Sequence, residues 1–350
     1  MRAVVALVEA GPDTIIEDYG RVLDLAGLPL TAGGEGIALV PQTCSGGWLP
    51  GAGSPPWQLD GALTWLGKRP EAEGAGLGAR NPVVLPVSPA GGQPAAMGWA
   101  REDVMARHGV DTASEHFRRP RAFRAEPALP ALEAALSQGL GLPTGLRDRT
   151  TLLLPVPSLP TDRPVSGAVN LMRALLAPGL GRSRQSSDLE ILADVLRFSR
   201  QALPGMAVVM DGVFWQIGQQ RSFGPTAWPA VARNVLLAGS DPVAVDVVAA
   251  RLAGREPERD PWYRLCRDLD LGAVRRTDIR LAGRADLMDL DFEVPDNLAG
   301  GPQISWEWFP GAKFFSDRFQ RPALVKRHAR TPWGRLYDDY RAGRSTGDME

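Results

Sequence analysis

The chain has 350 residues, 44% of them apolar, enough to bury a large core and long enough for two domains. Its formal net charge is −1, so no overall charge draws it to nucleic acid or to an acidic partner. Two cysteines, Cys44 and Cys266, exclude a disulfide framework and an iron–sulfur cluster held by this chain alone, and they fit a reducing cytoplasm; no apolar stretch approaches the ~18 residues of a membrane span.

In chain order, residues 1–9 lack the apolar core and cleavage site of a signal peptide and read as a first strand. Gly11-Pro12 leads into a helix over 13–26. Thr14 and Glu17 stand at capping-box spacing there, and Ile15, Ile16, Tyr19, Val22 and Leu23 share an apolar face. Gly36–Val40 is the next strand, giving the strand–helix–strand unit of a parallel sheet. The glycine-rich loop behind it, Pro41–Trp57, offers backbone N–H groups to an anion but matches no nucleotide fingerprint. Cys44 on this loop is either an activated thiol or a small inert residue. Trp48 and Trp57 pack the loop down. A helix through Leu59–Leu66 and a strand at Val83–Val87 follow. His108 and His116 stand in a charged stretch without metal-ligand spacing and read as solvated. Between 118 and 131, four arginines among prolines mark an exposed linker or flap.

Thr150–Val156 is a buried strand running into the loop Pro157–Asn170, where Ser166 and Asn170 are the polar groups facing a ligand; a helix spans 167–177. No histidine is placed to activate Ser166 as a triad nucleophile. Asp188–Ala202 is an amphipathic structural helix. Met206–Gly212 is a buried strand ending in Asp211-Gly212. Val235–Ala238 is another, turned by Gly239-Ser240 into a helix that Asp241 caps, Pro242 begins and Gly254 closes. Only Asp246 and Arg251 interrupt the apolar surface of that helix, so the helix is buried. Asp246 is then a buried carboxylate that must be paired, bound to a cation or protonated. A short helix at 261–271 and a strand at 279–283 complete this part. Beyond residue 290 aromatics alternate with cations, and 311–335 hold two Lys and five Arg against one Asp. This segment is either an arm wrapping its aromatics over the parent domain or a docking arm for an acidic partner.

The block Met206–Gly254 also resembles the family catalogued as domain of unknown function 362. The resemblance rests on strand-Asp211-Gly212, Gly224-Pro225 and Leu236-Leu-Ala-Gly-Ser-Asp241-Pro-Val-Ala-Val-Asp246. Two further segments stand in register with family motifs: Ile37–Gln42, where members carry Lys-Pro-Asn, and Pro157–Asn170. Where members have lysines this chain has Ser158, Pro160 and Val169, and where they have a histidine it has Asp162. The resemblance implies an α/β fold and redox-linked chemistry with any cofactor supplied from outside.

These readings predict an α/β fold of two lobes, each a mostly parallel sheet flanked by helices. The first lobe spans 1–117, a linker or flap 118–149, the second lobe 150–288, and an irregular aromatic-basic arm 289–350. Ligands of open α/β sheets sit at the carboxyl ends of strands. Asp211, Asp241 and Asp246, with Ser166, Asn170 and Cys44, are therefore expected to line an interlobe cleft for a small anionic ligand, a cofactor or a metal. Asp211 and Asp246 are the candidate ligands for a divalent cation, since hard cations prefer carboxylate oxygen. The same acids also suit purely structural roles, as a turn after a strand and as a helix cap. Two functions stand side by side: a ligand-binding protein or redox-linked enzyme using the cleft, and a non-catalytic relative meeting protein partners through residues 300–344.

Overall fold

The computed structural model describes residues 2–28, 36–43, 51, 53–68, 82–87, 99–110, 120–136, 139–159, 167–177, 188–217, 230–289 and 330–344. The strands are β1 (Ala3–Glu9), β2 (Gly36–Pro41), β3 (Val83–Val84), β4 (Pro120–Ala122), β5 (Gly141–Pro143), β6 (Arg149–Leu154), β7 (Ser158–Leu159), β8 (Met206–Ile217), β9 (Ala230–Gly239) and β10 (Ile279–Gly283). The helices are α1 (Ile15–Ala26), α2 (Pro56–Gly67), α3 (Trp99–Arg107), α4 (Pro130–Ala135), α5 (Ala168–Leu176), α6 (Asp188–Ala202), α7 (Pro242–Leu252), α8 (Pro261–Asp268) and α9 (Pro332–Arg341).

The main sheet has the order β10-β1-β9-β8-β6-β2-β3, with short β7 added beside β8. All of these strands run parallel except β9, which turns back on β8 and lies antiparallel to both β8 and β1. The chain is thus α/β with a mostly parallel sheet. Strands from 1–117 and from 150–288 enter that one sheet, where a sheet for each lobe was expected. β1 lies between β10 and β9, and β2 pairs with β6 over Gly36–Pro41 and Arg149–Leu154. Merging satisfies the edge N–H and C=O groups that two separate small sheets would leave unpaired.

Side-chain alternation divides the core into two faces. Ala6, Val8, Ile37, Leu39, Leu152, Leu154, Ala207, Val209 and Leu236 face α1, α2, α3 and α9. Val5, Leu7, Ala38, Val40, Leu153, Val208, Met210 and Leu237 face α5, α6, α7 and α8. The stretch 118–149, expected as a linker or flap, adds the β4–β5 hairpin and α4 to this second face and buries Leu129, Leu132, Leu140, Leu142 and Leu146. Asp194 of α6 caps α4 by accepting the Ala131 and Leu132 N–H groups at 2.9 and 3.2 Å.

Local expectations meet mixed outcomes. Asp241 caps α7 through the Val243 and Ala244 N–H groups, and Gly254 follows with φ +72°. Thr14 does not form the expected capping box. Its hydroxyl donates to Asp18 Oδ2 at 2.8 Å, and the same oxygen accepts the Gly11 N–H at 3.0 Å, tying the turn before α1 to the helix. Asp211-Gly212 is not a turn. β8 continues to Ile217 through a register shift at Gly212/Phe214, with β9 as its partner. Of the C-terminal arm, 290–329 and 345–350 lie outside the described residues. Its described part forms α9, begun by Pro332 and capped by Thr331 on the Gly334 N–H, with Trp333, Leu336 and Tyr340 buried. No helix among the described residues is long and apolar enough to cross a membrane.

Candidate functional site

The chain leaves β2 toward the α1/α2 face and leaves β6 toward the α5/α6 face. Adjacent parallel strands whose connections part in this way open a crevice at their carboxyl ends, the usual ligand position in open α/β sheets. Here that position is built from buried polar side chains: Gln42, Thr43, Ser54 and Gln58. Ser54 Oγ accepts the Gln42 N–H at 2.8 Å and donates to the Leu154 carbonyl at 2.6 Å. Gln42 Oε1 accepts the Val156 N–H at 3.4 Å. Gln58 Nε2 donates to the carbonyls of Pro155 and Val209 at 3.1 and 2.9 Å, bridging the point where β6 and β8 diverge. Among the described residues, Thr43 Oγ1 and Gln58 Oε1 are buried without a partner. Each such group costs about 1–3 kcal/mol unless something hydrogen-bonds it.

Asp211 stands behind this wall. Its N–H donates to the Pro155 carbonyl at 3.0 Å. Its side chain shares a face with Ala207, Val209 and Val213, where three donors meet it. Tyr19 Oη and Trp57 Nε1 donate to Oδ2 at 2.7 and 2.9 Å, and the Val213 N–H donates to Oδ1 at 3.0 Å. Burial pushes the carboxyl up to about 6, against the pull of those donors. Burial, and then this same carboxylate, holds the Tyr19 hydroxyl well above its ordinary value.

Asp246 occupies the opposite face. Its two oxygens accept the Ala168 and Val169 N–H groups at 2.8 and 3.0 Å, so it caps α5 from a different helix. Burial raises it to about 8; the two N–H groups oppose that rise, and nearby Asp241 adds to it. Gly167, at φ +75°, is required beside it, since a Cβ there would lie 2.5 Å from Asp246 Oδ1 and 2.6 Å from Met210 Cε. Asp241 also accepts the Ala273 N–H at 2.8 Å, and burial raises its carboxyl.

Asp211 and Asp246 therefore do not share a cation site, because one-residue alternation along β8 sends Met210 toward Asp246 and Asp211 away from it. No cluster of three metal-ligating side chains occurs among the described residues. Asn170 is half-buried and accepts Arg173 Nε and Nη2 at 3.2 and 3.1 Å through Oδ1. Cys44 and Ser166 lie outside the described residues. Sequence reasoning missed Gln58 and a buried acid, Asp60. The Asp60 carboxylate takes His108 Nε2 at 2.7 Å and Tyr340 Oη at 2.6 Å, with Arg107 at 3.5 Å. Burial raises it, but these partners more than offset that and leave it below the usual range. The acid at Asp60, in a helix whose other polar side chains are only Gln58 and Thr64, was the available signal. No family model, characterised protein or solved structure matches the chain.

Proposed function

We propose that the chain binds a small ligand or cofactor at the carboxyl edge of its sheet, in the crevice between the ends of β2 and β6. The observation that carries this is the set of buried hydrogen-bonding side chains at that reversal, with Thr43 Oγ1 and Gln58 Oε1 unpartnered among the described residues. The three segments that carry the family resemblance supply its surroundings: Gln42 follows β2, Pro157 lies beyond the end of β6, and Asp211 backs the wall. The glycine-rich loop after β2 suits an anionic group on the ligand, and the resemblance extends the reading to redox-linked chemistry with an external cofactor. Asp246 enters as a positioning residue for the α5 end of the site.

Native mass spectrometry of protein purified without denaturation is the test, on wild type, Thr43→Val and Gln58→Leu. A bound small molecule is expected in wild type, with occupancy lost in one or both variants while melts show both still folded at the assay temperature; Gln58→Leu is expected to melt lower, since it also frees two buried carbonyls. Equal occupancy in all three, or a ligand mapped elsewhere by a crystal structure, would overturn the assignment. The docking-arm alternative draws no support from α9, whose aromatics are buried against the chain's own core.

A further inference from the structure

A second reversal lies at the same edge of the sheet, between β1 and β10. After Glu9 the chain turns onto the α1 face. After Gly283 it turns through 285–289, whose Leu287 joins the core of the other face. At this reversal there is a cavity of about 520 Å³, inside the range of about 300–1,000 Å³ typical of small-molecule sites. Leu7 and Val8 line it, with their side chains buried in the cores of the two opposite faces, and its exposed apolar contact is Leu25. Leu25 is 41% exposed, one of two large apolar side chains left exposed among the described residues.

Two guanidinium groups stand on the rim, each held from behind. Arg284 forks onto Asp286 through Nε and Nη2, at 2.9 and 2.7 Å, and gives Nη1 to Glu9 Oε2 at 2.6 Å. A guanidinium carries five N–H groups. One hydrogen on each terminal nitrogen therefore remains for a further partner, and charged N–H groups favour an oxyanion. Arg21 is paired with Asp18, whose other oxygen takes the Thr14 hydroxyl and the Gly11 N–H. Both cations are thus oriented before any ligand arrives. Three carboxylates, Glu9, Asp18 and Asp286, stand against the two guanidiniums, so an anion here would be held by the directed N–H groups and not by net positive charge.

We infer that this cavity binds a small organic monoanion, its apolar body against Leu25 and its oxyanion on Arg284 and Arg21. This site is separate from the β2/β6 crevice and does not depend on it.

Isothermal titration calorimetry of the full chain tests the assignment with three probes of one shape: benzoate, benzyl alcohol and benzylammonium. Benzoate is expected to bind saturably and at least about tenfold more tightly than the alcohol, the size of one charge-assisted fork. Arg284→Met should remove that advantage and leave the alcohol unchanged, whereas Leu25→Ser should weaken both. Benzoate should also shield Arg284 from phenylglyoxal, read by peptide mass. Both substituted side chains are substantially exposed, so thermal melts serve as the folding control. Gln58→Leu should leave benzoate binding untouched, which separates failure here from failure at the crevice. Equal benzoate affinity in wild type and Arg284→Met, tighter binding of benzylammonium, or no saturable benzoate binding would each overturn the inference.

Discussion

Asp246→Asn separates the two things the Asp246 carboxyl does, capping α5 and carrying a buried titratable proton. The folded carboxyl keeps its proton to about pH 8, whereas in the unfolded chain it ionises near 3.8. Between those values the folded state binds more protons, so this group's stabilising contribution is full below the unfolded value. It is lost as pH rises through the folded one. From about pH 6.5 to 8.5 the wild type should lose about 2 kcal/mol from this source, about 0.7 M in urea midpoint for a slope of about 3 kcal/mol/M. Most of the Asp211 loss falls below that window, since its folded value is about 6. Asparagine can accept only one of the Ala168 and Val169 N–H groups, so the variant should start about 1 kcal/mol less stable. It should then hold nearly constant while the wild type falls to its level and past it, so that the two curves cross within the window. Urea titrations followed by tryptophan fluorescence, at fixed ionic strength, read both curves. A wild-type midpoint flat across this window, or parallel slopes for the two proteins, would refute a buried proton on Asp246.

Trp333→Ala should cost about 3–5 kcal/mol, because the indole packs 5.4 Å from Trp57 and donates to Asn234 Oδ1 at 3.0 Å; a melt unchanged from wild type would mean that α9 does not dock. Tyr340→Phe removes one hydrogen bond to the Asp60 carboxylate and should cost about 1.5–3 kcal/mol in the same urea assay. Gly167→Ala should cost at least about 2 kcal/mol, since it forces a side chain into a left-handed conformation against Asp246; equal chemical-denaturation midpoints would contradict that packing. Tyr19→Phe takes a donor from Asp211, so its carboxyl should titrate higher than in wild type, as carboxyl carbon NMR would report.

The features legible in the sequence are those set within one element. The burial of Asp246 followed from a helix apolar on every side, and the Asp241 cap and Gly254 stop followed from neighbouring residues. What was not legible depends on how distant elements meet. The placement of Asp211 and Asp246 on opposite faces is fixed by which way each crossover turns, and no local pattern records that. Asp-Gly reads as a turn wherever it ends an apolar run; only the pairing of β8 with β9 carries the strand through it. Tyr340 and Asp60 are 280 positions apart, and their bond depends on α9 returning to α2. Gln58 has no local pattern that marks it, because its partners are carbonyls exposed where β6 and β8 separate.

The acid motif and the crevice are on different faces, yet they act on the same connection. The chain between β6 and α5 is held at its start by Gln42, which takes the Val156 N–H, and at its end by Asp246, which takes those of Ala168 and Val169. Both anchors are buried side chains reaching in from other elements, so neither end can drift without leaving a polar group unpaired. A ligand between β2 and β6 would meet a connection whose two ends are already placed, and the entropy of placing those ends would not have to be supplied by binding. On this view the acid at 246 matters to the crevice without touching its contents. A change there should weaken a ligand by loosening the connection, while a change at Gln58 should weaken it by removing a contact.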